Sequence, residues 1–146
     1  RKMKTIQFRE WELVVDSDAT KSVYNKVAAG KADNDLSDAF INFVNCRKTM
    51  LPDEIKTLFD ALGIDANKEC ENTYLGKQNN DLHLYSAWFH FKGNFTSSIR
   101  KTQINDTFSI GFSKNTGSTF FKNTKDLVLV EFFVEIPWTI EKSFDL

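Results

Sequence analysis

The chain is short of several things, and each shortage excludes something. It holds two cysteines, Cys46 and Cys70, in 146 residues. That is too few for a disulfide scaffold, and two reduced, buried thiols are expected rather than one bridge. It holds two prolines and four arginines (Arg1, Arg9, Arg47 and Arg100), while Lys, Asn, Ile, Phe and Thr are abundant. This is the bias of a low-GC genome, not a signal of function. The triplets Asn94-Phe95-Thr96 and Asn105-Asp106-Thr107 read as chance products of that composition rather than glycosylation sites. Positive charge is not in excess: the formal net charge is −1 and the sequence pI about 6.2. Phosphate neutralisation needs a basic stripe, so nucleic acid is not expected as a partner. An anionic membrane surface is disfavoured for the same reason. No apolar run reaches the length of a transmembrane helix. No leader is visible ahead of Met3, which reads as the natural start, and the expected location is the cytoplasm. A phosphate loop, a nucleophile elbow and a dinucleotide fingerprint are all missing, and Gly111 and Gly117 stand isolated.

What the chain does have is a core. Apolar residues make up 41% and aromatics 14%, with Phe alone at fourteen positions. A chain of this size buries roughly 70% of the surface its unfolded form exposes, without help from metals or bridges. With no internal repeat and no low-complexity linker, residues 1–146 read as a single domain.

The order of patterns sets the class. Residues 4–15 read as one strand whose apolar parity switches midway, which suggests a bulge or burial on both faces. Residues 16–30 read as a short helix, with Ser17 or Asp18 as cap, Val23 and Val27 one turn apart, and Gly30 at its end. A polar turn follows at 31–35. Residues 36–45 fit a helical face through Leu36, Phe40, Phe43 and Val44, and their Phe, Ile and Val content fits a strand equally well. The clearest helix spans 51–65: Pro52 suits its first turn, Asp53 and Glu54 its positive end, and Gly63 its stop. Its stripe is Ile55, Leu58, Phe59 and Leu62. From about residue 68 the period becomes two, with strands over 68–75, 82–93, 107–113 and 126–138; Pro137 ends the last. Helices early and strands late give an α+β fold: a mainly antiparallel, twisted sheet with helices packed on one face.

The segment YSAWFHFKGNF, Tyr85 to Phe95, is where a site is expected. Alternation sends Tyr85, Ala87, Phe89 and Phe91 to one face and Ser86, Trp88, His90 and Lys92 to the other. The first face suits the helix stripe. The second carries an indole, a titratable ring and a cation, and is the candidate ligand-binding surface. The last strand is apolar on both parities, as a central strand is, and sets Glu131 and Glu135 roughly 13 Å apart on the mixed face. That exceeds the separation of paired glycosidase carboxylates, about 5–9.5 Å. Cys46, Cys70, His83 and His90 are ligand types that suit zinc. Their spacing matches no compact motif, and the odd separation of His83 and His90 sends them to opposite faces of an unbulged strand. No metal and no cofactor is expected. A Cys46–His90 nucleophile pair finds no support in the spacing.

Taken together, NCRKTMLPDEIKTLFDALGID, KECE and YSAWFHFKG resemble a pattern in uncharacterised bacterial single-domain proteins. There, a Cys-containing segment precedes a helix ending LGID, and an aromatic-His strand ending in Gly follows. The resemblance covers residues 45–93 and implies a bacterial, cytosolic protein without implying an activity. Further cysteines of that pattern are missing here, which weakens a metal site. Two functions follow from the residues. The preferred one is a non-enzymatic binding or interaction module that holds a partner protein or small ligand on the mixed face. The alternative is a small hydrolase or lyase with His90 as general base and Glu131 or Glu135 as its orienter. Should the last strand lie at an edge, it could pair with a second copy and give a homodimer.

Overall fold

The computed structural model describes residues 2–97 and 99–141. Among them the chain runs β1 (Lys4–Phe8), β2 (Trp11–Val15), α1 (Ser17–Asn25), a 3-10 turn (Lys31–Asn34), α2 (Asp38–Met50) and α3 (Asp53–Leu62). Five strands follow: β3 (Glu71–Lys77), β4 (His83–Thr96), β5 (Lys101–Asn105), β6 (Phe108–Lys114) and β7 (Leu127–Ile136). Every strand pairing is antiparallel. The α+β expectation is met.

Several local readings change. Residues 4–15 are not one bulged strand but a hairpin, with Phe8 opposite Trp11 and Arg9 at a positive φ of 53°. The parity switch marks that turn. The cap of α1 is Asp16, whose carboxylate accepts from Ala19 N–H, not Ser17 or Asp18, and the helix ends at Asn25 with Lys26 as its C-cap, while Gly30 instead opens the 3-10 turn. Residues 38–50 resolve as helix, and β5 was invisible in the alternation.

The sheet runs β1-β2-β4-β7-β6-β5, with β3 also paired to β4. β7 therefore lies between β4 and β6, as its two apolar faces predict, and cannot offer an edge to a second copy. β4 organises the rest. Its residues 83–92 pair with β7 along one edge. On its other edge it pairs first with β3 and last, at 93–96, with β2. The backbone must come close at that second junction: a Cβ on Gly93 would fall 1.8 Å from Val14 O, so only glycine fits.

Between β3 and β2 the β4 edge has no strand partner, and helix α1 fills the gap. Positions 20 and 24 share one helix face. Tyr24 Oη accepts from His90 N–H at 2.9 Å and donates to His90 C=O at 3.2 Å. Thr20 Oγ1 accepts from Lys92 N–H at 3.0 Å. Two side chains thus do the work of a strand for backbone groups that water cannot reach.

The core lies between the sheet and α2 and α3. Phe89 packs against Phe59 of α3 at 5.0 Å between ring centroids and against Phe132 of β7 at 5.5 Å. Tyr85 packs against Phe43 of α2 at 5.3 Å. The α3 stripe meets the apolar face of β4, as the alternation requires. Asn42 of α2, fully buried, ties down the segment after β7: its amide donates to Pro137 C=O, and its Oδ1 accepts from Thr139 N–H at 2.7 Å.

Candidate functional site

The mixed face of β4 carries Ser86, Trp88, His90 and Lys92 as expected, yet it is not one open surface. The β6–β7 connection, residues 115–126, folds back over its middle and divides it into three zones. At the first, Trp88 donates its indole N–H to Glu131 Oε2 at 2.8 Å across the β4–β7 pair. Gly117 of the connection lies against the indole. Ser86 is buried beside this zone.

The second zone centres on His90, which is 1% exposed. Its Nε2 lies 2.8 Å from Asn115 Oδ1. With the Asn115 amide so oriented, Nε2 carries the proton and Nδ1 is left as the acceptor. Nδ1 faces Cys70 Sγ at 3.7 Å. Thiol, imidazole and amide thus stand in the order of a nucleophile, its base and the base's orienter. The electrostatics do not suit that chemistry. Burial first, and then the negative charges of Glu71 and Glu69, push the Cys70 thiol up to about 12. A thiol so placed is un-ionised at neutral pH and inert. The same Sγ lies 3.5 Å from Ser118 C=O, so its single proton is shared between that carbonyl and Nδ1. The trio acts as a clamp that closes the 115–118 segment onto the sheet.

The clamp has a pH signature. Burial lowers the His90 pKa, and the Asn115 hydrogen bond offsets this only in part. Because the folded pKa lies below the unfolded value of about 6.5, the unfolded chain takes up its proton first. The His90 contribution is complete above about pH 6.5 and is lost as pH falls towards the folded pKa. In urea unfolding, His90→Gln should flatten the fall in stability between about pH 7 and pH 5, whose limiting slope for one such group is about 1.4 kcal/mol per pH unit. A wild-type profile that stays flat there, or a variant that keeps the full slope, would overturn the assignment.

The expected dyad of imidazole and carboxylate is not assembled. Glu131 receives Trp88 N–H, and Glu135 receives the Asn80 amide at 2.9 Å. Of the four metal-ligand candidates, Cys70 and His90 meet, and the other two lie elsewhere. His83 bonds to Tyr74 Oη at 2.7 Å, while Cys46 faces Pro137 C=O. Among the described residues, no group of three or more His, Cys, Asp or Glu side chains is placed to hold a metal ion. No helix among them is long and apolar enough to cross a membrane.

The third zone is open. At the Lys92 end a cleft of about 530 Å³ lies between α1 and the 120–123 stretch of the connection. Its walls are Ala19, Val23, Val27, Phe120 and Phe121. Lys26, Lys92 and Lys122 supply its charge, and no acidic residue lines it. Lys92 Nζ donates to Asn123 C=O at 2.7 Å and also to Lys125 C=O, so the wall is held from the sheet. Phe121 is anchored in turn against the Tyr24 and His90 rings, with centroids 6.2 Å away from each. The sequence pointed to Lys92 but not to Val23, Val27, Phe120 or Phe121. One signal was present: Val23 on α1 and Val27 just past its C-cap are apolar, yet the buried face of the helix is Thr20 and Tyr24. Compared with family models, curated proteins and solved structures, the chain matches none of them.

Proposed function

We propose that this protein is a non-enzymatic binding module that holds a small organic ligand in the cleft between α1 and residues 120–123. The observation that carries this reading is the cleft's build: an apolar interior at the end of the mixed sheet face, within the size range of small-molecule sites, about 300–1,000 Å³. A second cleft of about 580 Å³ lies between α1 and the end of α3, but Lys21, Lys56, Asp60 and Asp65 give it both signs of charge. The binding surface of the sequence reading thus narrows from the whole mixed face to its Lys92 end. Trp88, His90 and Ser86 become its support. A bacterial, cytoplasmic setting belongs to the same proposal, and two free, buried thiols accord with a reducing compartment.

The test uses a neutral dye, N-phenyl-1-naphthylamine, whose emission rises in apolar surroundings. The wild type should bind it saturably. Ala19→Trp and, independently, Val27→Trp fill the cleft from its α1 wall and should each weaken binding by about tenfold or more, the loss of roughly 1.4 kcal/mol. Thermal unfolding reports whether each variant is folded. Undiminished dye binding in both folded variants would overturn the proposal.

A further inference from the structure

The cleft's charge goes further than its shape. Resting on the binding reading above, we infer that its ligand is a small amphipathic anion: an acyl chain or aryl group ending in one carboxylate. Three lysines and no carboxylate line the walls. Among the described residues, neither Lys26 nor Lys122 is paired with an acidic side chain. Some lysines elsewhere are so paired, Lys68 with Asp65 at 3.6 Å and Lys77 with Asp81 at 3.5 Å, so it is the absence of any carboxylate from the cleft walls that sets this site apart. The cleft therefore concentrates one sign of charge on a chain whose net charge is −1.

Placement matters as much as sign. Lys26 caps the C-terminus of α1, where the helix dipole presents partial negative charge. A cation there offsets a fixed feature that would repel an anion. Lys92 rises from the sheet at the base of the cleft, and Lys122 stands on the opposite wall from Lys26. Between them the surface is Val, Ala and Phe. An apolar tail would replace water against Val23, Val27 and Phe120, which are only half-buried. Its carboxylate would remain at the lysine rim, where charge-assisted hydrogen bonds are available. A neutral amphiphile would gain the tail contact alone, and a cationic one would meet repulsion.

The experiment displaces the bound naphthylamine dye with three amphiphiles of equal chain length, each below its micelle concentration: decanoate, decanol and decyltrimethylammonium. Decanoate should act at concentrations about tenfold lower than decanol, the order expected of a hydrogen bond to a charged group. Decyltrimethylammonium should be the weakest. The advantage of decanoate should shrink with added salt, because Lys26 and Lys122 face solvent. In the double variant Lys26→Glu/Lys122→Glu the order should reverse while the neutral dye still binds. Equal displacement by all three, or an unchanged order in the folded double variant, overturns this inference and leaves the cleft reading intact. Failure of the dye to bind the wild type overturns both.

Discussion

Glu69→Ala should destabilise the protein by about 3–5 kcal/mol, the cost of breaking a buried ion pair from one side. Glu69 is fully buried. Its Oε2 accepts from Ala32 N–H and its Oε1 from Arg47 Nη2, each at 2.7 Å. Arg47 reaches on to Asp33 at 2.7 Å, and Asp33 accepts from Gly30 N–H at 2.9 Å. The network ties the 3-10 turn to α2 and to the entry of β3. It fits so closely that a Cβ on Gly30 would fall 2.6 Å from Glu69 Oε2. Burial nonetheless holds the Glu69 carboxyl above its ordinary range, more than Ala32 N–H and the Arg47 guanidinium pull it back. The ionised pair therefore yields no large net stability, and the loss on truncation comes from what is left behind. Arg47 keeps a buried guanidinium beside one carboxylate instead of two, and Ala32 N–H loses its acceptor. Urea unfolding tests this directly. Replacing both partners, Glu69→Leu with Arg47→Met, should recover part of the loss, as apolar replacement of buried pairs often does. A single-variant cost below about 1 kcal/mol would mean that the site relaxes or admits water, and the account would fall.

Tyr24→Phe should carry the second large effect, although it removes one atom. That hydroxyl serves both the N–H and the C=O of His90. Without it, two backbone groups at the unpaired stretch of β4 are orphaned, at about 1–3 kcal/mol each. Burial pushes the Tyr24 phenol well above its ordinary range, so the hydroxyl stays protonated at any working pH and can always donate. Amide exchange supplies the specific readout. The His90 amide should lose protection in Tyr24→Phe, while amides of β4 paired only with β7 should keep most of theirs. Because the ring is retained against Phe120 and Phe121, dye binding in the cleft should survive. An unchanged exchange rate at His90 would show that the hydroxyl does not close the ladder.

How much of this was legible in the sequence depends on which contacts a feature uses. The α3 stripe and the Tyr85–Phe91 alternation were readable because a helix of period 3.6 and a strand of period two must each turn one face inward. They do meet, as the Phe59–Phe89 contact shows. The central place of β7 was readable because a strand with neighbours on both edges carries apolar residues on both parities, here everywhere but Glu131 and Glu135. The hairpin at Arg9 was misread because a parity switch looks the same whether the chain bulges or turns back. β5 was missed because an edge strand of five residues, KTQIN, buries too little to show alternation.

The site was half legible. Lys92 lies on the mixed face of β4, as alternation requires, while the cleft it shares with Val23 and Phe121 brings together residues that lie far apart in the chain. Local pattern alone fixed the α+β class, the inward faces of α3 and β4, and the central strand, because periodicity is a property of neighbours. Tertiary structure decided that residues 115–126 seal His90, that Tyr24 stands in for a strand, and that Val23 and Val27 face a lysine-rimmed cleft instead of the core. Those outcomes depend on where a connection returns to the sheet, which is governed by contacts between distant segments that no local period records.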